Sequence, residues 1–247
     1  MPLHPLAEQF AAVAQEYDRG RPDYPPAAVG ALAAELGLKP GSRVLDLAAG
    51  TGKLTRALVA AGLDVVAVEP QAPLRGLLEA SGAEVLEGVA EQIPLADASV
   101  EAVTVADGFH WFDREPALVE IARVLKPGGG LALLTAAPDW GENTWAQPLG
   151  ELISKRRTDR HPYFDGTPFD QTLREDPAWQ DPWLVEVAAA QPLSAARIAD
   201  YVLSFSWVAA MAPAERDAFL AEIAELLGDN VPEQSRVRFF TWLSALA

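Results

Sequence analysis

The chain has 247 residues, 50% of them hydrophobic, which is enough to bury the core of one large α/β domain. Nineteen basic against thirty-five acidic side chains leave a formal charge of −16, a surface that repels phosphate backbones and anionic lipid and argues against nucleic acid or membrane as partner. Cysteine is absent, which excludes disulfides and thiolate chemistry, and the three histidines lack ligand spacing, so no metal is expected.

In chain order, Leu6 to Tyr17 reads as a short helix, followed by the stiff Arg21-Pro-Asp-Tyr-Pro-Pro26 and a helix from Pro26 or Ala27 to about Leu38. Arg43 to Ala49 reads as a buried strand, bounded upstream by the turn pair Pro40-Gly41. Lys53 to Ala61 has helical spacing and stops at Gly62. Strands are then expected over Asp64–Glu69, Glu84–Val89, Val100–Val105 and Leu131–Ala136, with helices over Pro73–Ser81 and Pro116–Leu125 between them. This alternation predicts a doubly wound, Rossmann-like parallel sheet. Beyond Pro138 the pattern weakens. Residues 139–182 are rich in Pro, Asp, Arg and Trp, helices are expected near 194–209 and 213–227, and Trp183–Ala189 and Arg236–Leu243 are the expected sixth and seventh strands. The expected layout is a single domain over 1–247. It comprises an N-terminal segment (1–26), a core (27–138), a mainly helical insertion (139–235, with one core strand near 183–189) and a final strand (236–247). The start lacks a basic region followed by an apolar run, and no stretch is long enough to span a bilayer, so a cytoplasmic protein is expected.

The first strand runs into a Gly-bearing loop and then a helix, and open parallel sheets bind ligands beyond the carboxyl ends of their strands. Gly50 and Gly52 are free to take positive φ, and Glu69, seventeen residues after Gly52, ends the second strand where a carboxylate can accept from both ribose hydroxyls. A ribose-bearing nucleoside cofactor follows. A G-x-G-x-x-G fingerprint would need Gly at positions 48, 50 and 53; this chain has Ala48, Gly50 and Lys53, which disfavours a dinucleotide. Asp46 is expected to face the amine-bearing end of the cofactor and would oppose a pyrophosphate.

Val44-Leu-Asp-Leu-Ala-Ala-Gly-Thr-Gly52 resembles motif I of the class I S-adenosylmethionine-dependent methyltransferases, in the methyltransferase type 11 group. Val66–Glu69 resembles the acidic second-strand motif, Gly88–Leu95 the segment bordering the adenine, and Leu125-Lys-Pro-Gly-Gly129 the turn before the fifth strand. Two positions depart from the family: Ala48, usually Gly, and Val89, often acidic. The resemblance implies S-adenosylmethionine as cofactor, a seven-stranded mostly parallel sheet, and a methionine moiety surrounded by Ala48, Gly50, Thr51 and Gly52. It also implies Glu69 on the ribose flanked by Pro70 and Gln71, adenine contacts from Ala90, Glu91 and Gln92, and Ala106 at the amino end.

On the acceptor side, Asp107-Gly-Phe-His-Trp-Phe112 ends the fourth strand, so His110 and Trp111 are expected near the methyl, with His110 orienting the acceptor or acting as base. Tyr17-Asp-Arg-Gly-Arg-Pro-Asp-Tyr-Pro25 resembles the family's lid, which implies Tyr17 near the sulfonium or the cofactor's carboxylate and Arg21 pairing with an acid. The insertion supplies Trp140, Trp145, Lys155, Arg156, Arg157, Arg160 and His161, a basic cluster that either docks a substrate carboxylate or is a solvated helix face. Some relatives that this chain resembles methylate trans-aconitate. Trp140, Trp145 and Arg156 join Trp111 as candidate substrate contacts, whereas Trp207 and Trp242 are expected in the core. The leading expectation is a small-molecule O-methyltransferase, with carboxylates among its acceptors. The alternatives are a non-catalytic S-adenosylmethionine or S-adenosylhomocysteine binder and an NAD-dependent oxidoreductase.

Overall fold

The computed structural model describes residues 4–139, 145–157 and 169–247. Its centre is a run of short strands, β1 (Arg43–Leu47), β2 (Asp64–Val68) and β4 (Val100–Ala106), almost wholly buried, with the half-buried β3 (Glu84–Leu86) at the edge. Strands covered on both faces read as continuous Val/Leu/Ala stretches rather than alternating ones, which is why these were visible as apolar runs. β5 (Leu125–Pro138) is longer than the sequence suggests, because pairing resumes upstream of the Pro127–Gly130 turn: Val100 sits against Leu125, then Ala102 against Gly130. The glycine turn is therefore a bulge inside the strand. β6 (Trp183–Pro192) and β7 (Gln234–Ala245) complete a seven-stranded sheet in the order β3-β2-β1-β4-β5-β7-β6. β7 runs antiparallel to both β5 and β6, and the other pairs are parallel. Strand order reverses between β1 and β4, the switch point where a ligand crevice opens.

Helices cover both faces. α3 (Pro26–Glu35), started by a proline at its first position, and α4 (Lys53–Ala60), whose Leu54 and Leu58 are buried, close one core with Val44, Val65 and Phe239. α6 (Arg114–Val124) closes the other with Leu45, Val66 and Val103. α5 (Ala72–Leu78) follows β2, and its last turn continues as a 3₁₀ turn to Ser81.

A third core belongs to a helical cap, assembled from both sides of β6. α7 (Gln147–Arg156) and α8 (Phe169–Glu175) precede that strand, and α9 (Ala195–Leu203), α10 (Ser206–Ala209) and α11 (Pro213–Leu227) follow it. Leu149, Ile198, Val202, Val208, Phe219 and Ile223 pack together there. The N-terminal segment is not one helix but α1 (Pro5–Glu8), a 3₁₀ stretch over Gln9–Val13, and α2 (Ala14–Gly20). α2 lies so close to α9 that a Cβ on Gly20 would meet the Tyr201 backbone nitrogen at 2.3 Å. Arg19 grips Asp200 with Nε and Nη2 at 2.8 and 3.0 Å, joining lid and cap. No described helix is long and apolar enough to cross a membrane.

Candidate functional site

The switch point opens into a cavity of about 640 Å³, reached by the ends of β1, β2 and β4, the N-terminal lid and the cap. Its cofactor end is built around Glu69, which is buried just beyond β2. Glu69 Oε2 accepts from Gly50 N at 2.9 Å and Oε1 from Gln71 N at 3.0 Å, so both oxygens are fixed in place and each keeps a lone pair for a further donor. Burial pushes the Glu69 carboxyl up to about 7, against the two backbone N–H groups and the attraction of Arg75. Gly50 adopts φ 58°, and a Cβ there would meet nothing within 4 Å, so the loop leaves open space beside the carboxylate. A vicinal diol fits this donor demand, and an open cradle next to a fixed carboxylate fits a ribonucleoside.

Of the residues picked from sequence, Tyr17, Arg21, Ala48, Gly50, Glu69, Pro70, Gln71, Ala90, Glu91, Ala106, His110 and Trp111 all line this cavity. Val89 lines it too, beside Ala90 and Glu91. Several others have different positions. Asp46 does not face the cavity: its fully buried carboxylate accepts from Thr55 Oγ1 on α4 and from Thr104 Oγ1 on β4 at 3.2 Å, and burial lifts it to about 6. Alternation along β1 explains this, because the side chain points sideways into the helix layer rather than beyond the strand end. Thr51 is buried in the loop and Gly52 takes φ 87° as the cap of α4, where a Cβ would press on Leu78 at 2.8 Å; they shape the turn from behind. Gln92 is exposed on a turn closed by its N–H to Val89 O.

On the acceptor side, Arg156 is turned away: Nη2 pairs with Glu222 at 2.7 Å and the guanidinium lies over the Phe219 ring. Its neighbour Arg157, just past the end of α7, lines the cavity instead, since one helical residue rotates a side chain by about 100°. Trp145 packs on the cap core. Trp140, Arg160 and His161 lie outside the described residues. Trp207 and Trp242, expected in the core, both reach the cavity wall. Periodicity alone hides this, because each also packs against core residues from its other side.

Asp107 is the main residue that sequence reasoning passed over. It follows β4 with φ 50°, lines the cavity, and is pushed above the ordinary carboxylate range by burial, against the attraction of Arg21 and a hydrogen bond from the Ala136 N–H. Ala48, at the end of β1, has φ 56°, so both strands flanking the switch point end in a left-handed non-glycine residue. Arg21 is held by Ser204, Nε to Oγ at 2.8 Å, among the rings of Tyr17, Tyr201 and Phe205. His110 sits in a 3₁₀ turn (Phe109–Trp111) with its ring 5.1 Å from that of Trp111, and Phe10 meets the same Trp111 edge-on at 5.5 Å. Among the described residues no three His, Cys, Asp or Glu side chains group as metal ligands.

Comparison with known proteins agrees with this geometry. Residues 45–133 match the family model described as a methyltransferase domain. An uncharacterised methyltransferase of Mycobacterium tuberculosis is 45% identical over 152 residues, 61% of this chain and 60% of that protein. A ubiquinone/menaquinone biosynthesis C-methyltransferase of Rubrivivax gelatinosus is 40% identical over 119 residues, 46% of each chain. The matched stretch thus spans well under two thirds of these relatives' length. A proposed type II methyltransferase of Anaeromyxobacter dehalogenans shares the fold, with a TM-score of 0.63 at 24% identity over 91% of this chain and 97% of that one.

Proposed function

We propose that this protein is an S-adenosylmethionine-dependent methyltransferase that methylates an oxygen of a small molecule. The observation that carries the reading is Glu69, a buried carboxylate fixed between Gly50 N and Gln71 N on the wall of a switch-point cavity. Glu69 would hold the ribose hydroxyls, with Ala90 and Glu91 along the adenine. Ala48, Ala106, Asp107 and Arg21 would surround the zwitterionic methionine, the carboxylate of Asp107 matching its ammonium and the guanidinium of Arg21 its carboxylate. When bound, S-adenosylmethionine supplies a methyl group on a sulfonium, so an acceptor lone pair takes the methyl as the C–S bond breaks and its electron pair stays on sulfur.

The chain's own part is alignment and exclusion of water. Tyr17 from the lid and the His110–Trp111 pair approach the junction of cofactor and acceptor ends. There His110 orients the acceptor, and its imidazole takes a proton where the acceptor is a hydroxyl. A carboxylate acceptor needs no base. A small acceptor fits a cavity lined by lid and cap, and a charge of −16 disfavours a polyanion.

The test is a thermal-shift and calorimetric comparison of S-adenosylhomocysteine with NAD. Stabilisation by S-adenosylhomocysteine alone supports the reading, and stabilisation by NAD alone refutes it. Methyl transfer to a panel of carboxylic acids and phenols then separates an enzyme from a cofactor binder.

A further inference from the structure

The two halves of the cavity differ in chemistry. The cofactor half carries Glu69, Glu91, Asp107 and, beside Glu91, Asp113, acids that suit a cationic methyl donor. The half beyond β4 has another lining. Its floor is Thr135 of β5 and Trp242 of β7, and its walls are Phe169 of α8 with Phe205 and Trp207 around α10. Phe205 and Trp207 lie nearly parallel, 24° apart with centroids at 6.2 Å, and Phe169 meets Phe109 edge-on at 5.5 Å. Ile153 and Arg157 close this half from the end of α7. Among the described residues these lining groups comprise four aromatic rings, the Arg157 guanidinium and no carboxylate, with Arg21 over the Phe205 ring at the border of the two halves, in a protein with sixteen excess negative charges.

Arg157 differs from the neighbouring cations. Arg156 is paired with Glu222 and Arg21 is anchored on Ser204, whereas the Arg157 guanidinium has no ion-pair or hydrogen-bond partner among the described residues. An unpaired fork of N–H donors beside aromatic walls matches a planar carboxylate carried on a ring. The same lining suits a tricarboxylate poorly, since one cation would face three charges and the rings would desolvate the other two.

We propose that the acceptor is an apolar, ring-bearing monocarboxylate, and that Arg157 is the residue that selects it by receiving the carboxylate. This rests on the methyltransferase reading above and narrows its acceptor. The rings supply stacking area and shape, and Arg157 supplies the charge preference that the protein's overall field opposes.

The experiment is calorimetric titration of the full chain, saturated with S-adenosylhomocysteine, with three probes: trans-cinnamate, its uncharged amide, and trans-aconitate. Cinnamate is expected to bind about tenfold more tightly than the amide, the difference expected of one charge-assisted contact at a partly exposed site. Arg157→Gln is expected to abolish that difference while leaving the affinity for S-adenosylhomocysteine unchanged, which shows that the variant is folded. Equal binding of cinnamate and amide, or a preference that survives in Arg157→Gln, overturns the role of Arg157. Tighter binding of trans-aconitate than of cinnamate overturns the ring-bearing monocarboxylate. Failure to bind S-adenosylhomocysteine at all counts against the methyltransferase reading instead, so the two failures are distinguishable.

Discussion

Glu69 offers the sharpest test because its two roles leave different marks. The carboxyl, raised from 4.5 to about 7 by burial, is half protonated near neutrality in the ligand-free protein. Holding a ribose diol needs the ionised form, so cofactor affinity is expected to rise with pH and to fall about tenfold per unit below 7, the proton competing with the ligand. Replacing the side chain removes two charge-assisted hydrogen bonds. At about 1.5 kcal/mol each, Glu69→Ala is expected to cost about 3 kcal/mol, or about 150-fold in Kd. Glu69→Gln separates the parts: one carbonyl oxygen can still accept from Gly50 or Gln71, but the amide meets the other N–H with a donor and does not titrate. Its affinity for S-adenosylhomocysteine, measured by calorimetry from pH 5.5 to 8, is therefore expected to be weak and to lose the slope of the wild type. Asp107 is also raised by burial, and any slope it contributes persists in Glu69→Gln, which makes that variant the control. Unchanged affinity in Glu69→Ala, or a wild-type curve flat across this range, would refute the ribose assignment.

Three other perturbations probe the scaffold. Asp46, raised from 3.8 to about 6, is disfavoured in its ionised form by folding, so its contribution is best below pH 4 and is lost as pH rises through 6. Urea unfolding is expected to show Asp46→Asn gaining about 2 kcal/mol on the wild type between pH 4 and pH 8, and a constant difference would contradict the burial account. Ala48→Gly relieves a left-handed residue at φ 56° and is expected to gain about 1 kcal/mol, or about 3 °C in Tm; a fall in Tm would show that the loop is held without strain. Gly20→Ala drives a methyl into the α9 backbone, a cost of about 1–3 kcal/mol in lid docking, and is expected to weaken cofactor binding and expose Arg19 and Arg21 to trypsin. Wild-type affinity and cleavage would mean that lid and cap move independently.

The parallel core was legible because its strands are short apolar runs punctuated by Gly and Pro, and a strand end plus a loop fixes where a ligand sits. That is why position alone singled out Gly50 and Glu69, both of which line the cavity, while Ala106 came from the resemblance. Asp46 misled because sequence gives the strand but not which way an alternating side chain leaves it, and Thr55 and Thr104 claim its carboxylate from distant elements. Arg156 and Arg157 were indistinguishable in a basic run; Glu222, sixty-six residues on, decides which one turns away. Trp207 and Trp242 illustrate the same limit, since a tryptophan is large enough to be core on one side and cavity wall on the other. Asp107 carried one usable signal, an acidic residue before Gly108 at the end of β4, level with the loop across the switch point.

The two left-handed residues give the site its logic. Ala48 and Asp107 end the strands on either side of the switch point, and Gly108 packs so closely that a Cβ there would meet the Ala48 methyl at 3.2 Å. A strand that continued straight at either place would carry its next side chains on past the crevice. The turn at Ala48 instead delivers Gly50 to Glu69, and the turn at Asp107 delivers His110 and Trp111 to the lid aromatics. Arg21 completes the arrangement from above, reaching the cavity while bonded to Ser204 between the Tyr201 and Phe205 rings. A lid residue that lines the cavity is thus physically tied to the segment that carries Phe205 and Trp207. Cofactor and acceptor ends are organised by the same short stretch of chain, so a substitution at Ser204 that frees Arg21 should disturb both.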